Sequence, residues 1–397
     1  MDRLKVIVKI SLLIFLYYLT YYIYQGVINP IPGLGDSWDY HIPISQTILN
    51  GSFLHLTDVK LPQWYYPGSS EAINSIFIFF HIPLTLSNVL AVLILLLSLY
   101  KLGKVFGLGK LYSFLFSLTF VTLNVILRWI NSVNVDIWMA VFFVWALILL
   151  ENPRKELTYF LKLGFVAGVI IGSKYSGLYI IVVLSLFYTK KIISAVNTKG
   201  IIAFIIPFSI FGLFWYVRNY LITGNPFYPT PIFNFPGIEI FNGLRVYSVT
   251  LERPLDIFNA LFSEYKMWMF VVLIALIMVF RRIIIYKKFK LDQMYMLYLL
   301  GLVNFIIYFN FPSDYPKSVM VSSLRYSYTS FIPLILAVFL QMKKLKKEEL
   351  LGYFSIGNMI MVMSLNYHPK LVLIYLPLAL IFFRFLDNIN KKKNPGV

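Results

Sequence analysis

Two carboxylates and an imidazole fall within six residues in the segment Gly35-Asp36-Ser37-Trp38-Asp39-Tyr40-His41-Ile42-Pro43. A carboxylate held near lipid headgroups can act as a general base toward an acceptor hydroxyl, and a nearby imidazole can assist. Asp36 and Asp39 are therefore the candidate catalytic residues, and His41 is a candidate substrate contact. A plainer reading makes Asp36 a helix N-cap, since Asp is favoured there and residues 38–50 read as a helix. Asp39 would then lie in the first turn and suit the helix dipole. A lone histidine is more often an ordinary hydrogen-bonding residue.

Further charges stand out against the apolar background. Glu71 ends Tyr65-Tyr66-Pro67-Gly68-Ser69-Ser70-Glu71, which also reads as a turn and helix start with Ser69 as N-cap. Asp136 opens an apolar run beside Arg128, Asn131 and Asn134. Lys174 sits in Gly172-Ser173-Lys174-Tyr175-Ser176-Gly177, a tight turn between two apolar runs, where a snorkelling lysine is the bland alternative. Arg218 and Arg325 emerge where further apolar runs meet polar loops. Arginine grips phosphate oxygens bidentately. Lys174, Arg218 and Arg325 are thus expected to converge on one anionic headgroup, which would suit a leaving phosphate whose charge grows in the transition state. The chain has no Gly-rich phosphate loop, His-x-x-x-His pair or Gly-x-Ser-x-Gly elbow.

The elements that must position these residues are membrane helices. The chain is 59% hydrophobic and 13% charged, with a mean hydropathy of +0.76. Soluble domains are about 45–50% apolar and about 25% charged. At about 20 residues per span, the pattern predicts an all-α polytopic membrane protein of about twelve helices. They lie near 5–24, 86–103, 110–127, 136–150, 157–173, 176–189, 200–218, 266–281, 291–309, 328–341, 350–366 and 371–386. The first run lacks a small-residue cleavage site and reads as a retained span. The absence of cysteine excludes disulfides and thiolate metal sites.

The net charge of +18 is one-sided. With the N-terminus inside, 25 of the 35 Lys/Arg fall on the inner side and 10 on the outer, while Asp/Glu divide 7 and 10. That is the positive-inside pattern of a multi-pass plasma-membrane protein with both termini cytoplasmic. The basic clusters read as orientation signals and contacts to anionic membrane lipids, and no nucleic-acid partner is expected. Three longer outer segments, 25–85, 219–265 and 310–327, would roof an outer site. Within the first, residues 38–50 and 69–83 read as amphipathic interfacial helices. The many aromatic residues near outer span ends read mostly as an interfacial belt. No inner domain suited to a nucleotide sugar is visible, so any donor would be lipid-borne.

Taken in order, these motifs resemble the GT-C class of integral membrane glycosyltransferases, in particular relatives of the protein O-mannosyltransferases. Asp36 to Pro43 is similar to the Asp-x-x-x-Tyr-His-Leu-Pro signature of the first outer loop, and Ile48-Leu49-Asn50-Gly51-Ser52-Phe53 resembles its continuation. Tyr66-Pro67-Gly68 with Glu71 resembles the entry to the second interfacial helix, one proline short. Gly172-Ser173-Lys174-Tyr175, Trp215 to Pro229, and Arg325-Tyr326 with Pro333 complete the likeness, which runs from residue 33 to about 335.

The resemblance implies a polyprenyl-phosphate-linked sugar donor and inverting transfer to the hydroxyl of a lipid, glycan or protein acceptor on the outer face. It implies Asp36 as base by register with Tyr40-His41-Ile42-Pro43, with Asp39 as competitor, because the family commonly carries a small polar residue there. Lys174 and Arg325 would meet the donor phosphate; on the reading of the residues themselves, His41, Glu71, Asp136 and Arg218 are further candidate substrate-binding positions. No cofactor is expected; a divalent metal at Asp36, Asp39 and Asp136 stays open as an alternative. Two other readings remain: a lipid-linked oligosaccharide polymerase or ligase, and a polytopic transporter or flippase, which would carry charges at mid-membrane.

Overall fold

Apolar runs too long for a soluble core satisfy their own backbone groups by coiling into helices. The computed structural model of the chain follows this rule. It describes residues 2–30, 32, 35–56, 61–232, 234–238, 254–286, 292–309 and 324–366, and among these the regular structure is helical with no strand. Helix α1 is Asp2–Ile28 and α2 is Ile42–Leu49, the latter entered through a π-turn at Ser37–His41. Helix α3 is Glu71–Phe79, α4 Ser87–Val105, α5 Lys110–Val121, α6 Asn124–Leu127 and α7 Asp136–Glu151. Helix α8 is Leu157–Ser173, α9 Ser176–Ala195, α10 Thr198–Phe208, α11 Phe214–Thr223 and α12 Pro254–Tyr265. Helix α13 is Val271–Tyr286, α14 Gln293–Phe309, α15 Tyr328–Lys344 and α16 Glu348–Asn366.

Five stretches are long and apolar enough to cross a membrane: Arg3–Ile28, Leu84–Val105, Ser176–Ala195, Thr198–Thr223 and Ile257–Arg282. Lys110–Val121, Leu157–Ser173 and Gln293–Tyr308 are shorter apolar helices. The expected span at 371–386 lies outside the described residues, as do 239–253 of the second expected outer segment and 310–323 of the third. Large apolar side chains also face outward, Leu221 at 77% and Leu186 at 70% exposure among them. Such a surface suits lipid better than water.

Short helices form within both stretches read as amphipathic, as α2 and α3. They pack on each other, and the Ser75 hydroxyl donates to the Ser45 carbonyl at 2.8 Å. Ser69 is not the N-cap of α3: its hydroxyl donates to the Phe211 carbonyl and accepts from the Trp215 indole at 2.7 Å. Its amide donates to the Gly172 carbonyl at 2.7 Å. These bonds tie the start of α3 to the end of α8.

Helix α8 carries Gly164, Gly168 and Gly172 at four-residue spacing, so they form one stripe. That stripe lies directly on the backbone of α10 and the π-turn Ser209–Leu213 that follows it. A Cβ at Gly164 would come within 2.2 Å of the Phe204 carbonyl oxygen, and one at Gly172 within 1.9 Å of the Phe211 carbonyl oxygen. Pro207 in α10 lacks the amide that an α-helical bond needs, and the helix widens just beyond it. At the opposite end of the bundle, Glu151 of α7 accepts from Lys191 of α9 at 2.5 Å and from Gln293 at the start of α14 at 2.7 Å.

The stripe generates a stability contrast. Gly164→Ala is expected to cost about 1–3 kcal/mol, read as a lower melting temperature in detergent. Gly357→Ala, in α16 with no atom within 4 Å of its Cβ position, is expected to hold or raise it. Equal melting temperatures for the two variants would refute the close-contact reading.

Candidate active site

Asp36 adopts helical backbone angles (φ −41°, ψ −34°) and makes no side-chain cap bond. Its carboxylate instead pairs with the Arg325 guanidinium, 289 residues away. Four residues on, and so on the same face of the turn, the Tyr40 hydroxyl also hydrogen-bonds Asp36. Asp39 lies on another face and is exposed. Its backbone carbonyl accepts from the Trp64 indole at 2.9 Å.

Asp136 is the first residue of α7, where a carboxylate suits the dipole. Its Oδ1 accepts from Lys174 Nζ at 2.7 Å, and its Oδ2 is in ion-pair contact with Arg325 Nε at 3.2 Å. Lys174 occupies an extended link between α8 and α9 (φ −157°, ψ 151°). That link is short because Gly177 lets α9 close on α8: a Cβ there would lie 2.1 Å from the Ile170 carbonyl oxygen. Arg325 comes from a single 3-10 turn, Leu324–Tyr326, just ahead of α15. The Tyr326 hydroxyl accepts from Lys174 Nζ at 3.1 Å and from Arg325 Nη2 at 2.7 Å. Four segments thus deliver two acids and two bases to one place.

Trp129 braces the cluster. Its ring centroid lies 4.8 Å from the Arg325 guanidinium carbon and 4.6 Å from that of Arg128, within cation–π range. Arg128 in turn pairs with Glu264 at 2.9 Å. Tyr326 and Tyr40 were legible only as neighbours of charged residues in the motifs, and nothing in the sequence signalled Trp129.

The charges hold one another ionised. Burial pushes the Asp36 carboxyl up, but the Arg325 charge and hydrogen bond, with Lys174 and Tyr40, bring it below the usual carboxylate range. Burial would lower Lys174, yet Asp136 and Tyr326 hold it above the ordinary lysine value. Arg325 is likewise raised despite its burial, by Tyr326, Asp136, Tyr40 and Asp36. Burial keeps the Tyr40 hydroxyl protonated and able to donate.

His41 and Glu71 are deeper. Both are almost wholly buried, and His41 Nδ1 lies 2.8 Å from Glu71 Oε1. Burial, then Lys174 and Arg325, lowers His41 well below 6.5. Burial raises Glu71 to about 8. At neutral pH the pair is therefore uncharged and cannot grip an anion. It forms the floor of the cluster, beside the Ser70–Ser173 hydroxyl contact of 2.6 Å.

Arg218 departs from the expected convergence. It is buried, donates to Asn219 Oδ1 and the Tyr65 carbonyl (2.6 and 2.7 Å from Nη2), and stacks at 4.8 Å on Trp215. It anchors the Tyr65 loop in a neighbouring network rather than joining Lys174 and Arg325. The three acids named for a metal are not grouped: Arg325 pairs with both Asp36 and Asp136, and Asp39 is exposed. Among the described residues no group of three His, Cys, Asp or Glu could hold a metal ion. What remains is a half-exposed carboxylate next to two fixed cations, an arrangement able to deprotonate a hydroxyl beside a bound oxyanion.

The Glu71 shift predicts a sign. Its folded value, about 8, exceeds the ordinary glutamate value of 4.5, so the folded state holds the extra proton between these values. Stability from this group is complete below about 4.5 and is lost as pH rises through about 8. The lowered His41 contributes the opposite slope below 6.5, so wild-type melting temperature should fall chiefly between about pH 6.5 and 8, and Glu71→Gln should flatten that slope; parallel curves would reject the assignment. In comparisons with known proteins, the chain matches no family model, no curated protein and no solved structure.

Proposed function

We propose that the chain is a multi-pass membrane glycosyltransferase that moves a sugar from a polyprenyl-phosphate donor to an acceptor hydroxyl, with inversion. The observation that carries this reading is the meeting of Asp36, Asp136, Lys174 and Arg325 at one end of an apolar helix bundle. About twelve spans, cytoplasmic termini and an outward-facing site in the plasma membrane complete the proposal. The one-sided Lys/Arg distribution supports that orientation.

In this reading Asp36 takes the acceptor proton while the acceptor oxygen attacks the anomeric carbon. The bond between that carbon and the phosphate oxygen breaks, and its electron pair stays on the phosphate. Arg325 and Lys174 stabilise the growing charge. Asp136 holds both cations in place, Tyr40 orients Asp36, and the interfacial helices α2 and α3 floor the site. The ordinary competitor as base, Asp39, faces away from the cations.

Transfer from radiolabelled polyprenyl-phosphate sugars should be measured in membranes carrying wild type, Asp36→Asn or Asp39→Asn. Loss of a general base costs about 10²–10⁴-fold. Asp36→Asn is expected to fall by at least about a hundredfold at equal expression, and Asp39→Asn to stay within about twofold of wild type. Full transfer by Asp36→Asn would refute the assignment of the base. Absence of transfer by well-folded wild type across a broad donor panel would refute the function.

A further inference from the structure

Arg325 carries two carboxylates, and they are held unequally. Asp136 is 3% exposed and is gripped by both Lys174 and Arg325. The Asp36 side chain is 37% exposed, and its ion-pair partner among the described residues is Arg325. Asp136 is therefore the permanent counter-ion and Asp36 the replaceable one. Arg325 itself is only 9% exposed. With Asp36 gone, Asp136 alone would face the two buried cations Lys174 and Arg325, and an uncompensated buried charge is strongly destabilising, so Asp36 leaves readily only if another anion takes its place. A phosphate fits that place, because a guanidinium pairs bidentately with phosphate as well as with carboxylate. Lys174 and the Tyr326 hydroxyl stand beside it.

We propose that Asp36 and the phosphate of a lipid-linked donor compete for Arg325, so that phosphate binding frees Asp36 to act as the base. This rests on the glycosyltransferase reading given above. While Asp36 is paired, the guanidinium draws off its basicity. When the phosphodiester takes over Arg325, Asp36 loses its cation and gains an anionic neighbour, and both changes strengthen it as a base. The acceptor proton then moves to Asp36, the acceptor oxygen bonds the anomeric carbon, and the carbon–oxygen bond to phosphate breaks. The phosphate monoester gains the negative charge that Asp36 gives up, so the site's total charge is unchanged. A hydroxyl that enters before the donor meets a carboxylate already engaged.

The test is binding of farnesyl phosphate, a short polyprenyl phosphate without sugar, to the full-length protein in detergent. Asp36→Asn removes the competitor and should bind about tenfold more tightly than wild type, within the usual range for coupled sites. Asp36→Ser should do the same and serves if Asp36→Asn does not fold. Asp39→Asn, which removes a nearby charge outside the pair, should match wild type. Unchanged or weaker binding by the Asp36 variants would overturn the exchange, as would equal tightening by Asp39→Asn. The two readings fail separately. Asp36-dependent transfer with unchanged farnesyl phosphate affinity removes the exchange and leaves the transferase. Tighter binding with no transfer from any donor by wild type removes the transferase and leaves a phosphate–carboxylate exchange at Arg325.

Discussion

The structure depends on a closed set of four charges: Asp36 on Arg325, Arg325 on Asp136, and Asp136 on Lys174. Each would be costly to bury alone, and each is tolerated because the others are present. The partners come from a loop, a helix start, a helix–helix turn and a 3-10 turn spread from residue 36 to residue 325. Their pairing therefore fixes how the ends of α7, α8 and α15 stand relative to the segment that leads into α2.

Around that set the molecule grades from ionic to amphipathic to apolar. Tyrosine hydroxyls and the Trp129 ring touch the charges directly. The neutral His41–Glu71 pair lies beneath them and adds polarity without net charge. Arg218 shows the same economy in a different role: a buried cation spent on a carbonyl, a carboxamide and an indole to hold a loop. Beyond these layers many leucine, isoleucine and phenylalanine side chains are exposed.

Much of this was legible in the sequence because charge is rare in it. Asp36, Asp136, Lys174 and Arg325 were conspicuous as acids and bases between apolar runs. The helices α2 and α3 followed from local amphipathic spacing. What local pattern cannot carry is long-range pairing. The partnership of Asp36 with Arg325 overrode the helix-cap role that position favours, and Arg218 turned to its own neighbour, Asn219, instead of to Lys174. Ser69 had the right residue type and place for a cap but found partners on Phe211 and Trp215. The π-turn at Ser37–His41 is invisible to a 3.6-residue period, yet it joins Asp36 to α2.

The glycine stripe on α8 bears on how this protein can change. Where side chain meets side chain, a substitution on one element can be offset by a smaller residue on the other. At Gly164 and Gly172 the facing atoms are carbonyl oxygens of Phe204 and Phe211, and a carbonyl has no smaller version. No smaller side chain in α10 or in the π-turn after it removes those oxygens, so these positions stand outside the ordinary trade of volume between neighbours. Lys174 lies two residues beyond that seam. Its placement is thus tied to the least negotiable contact in the bundle, while the lipid-facing flank of the same helices is free to drift.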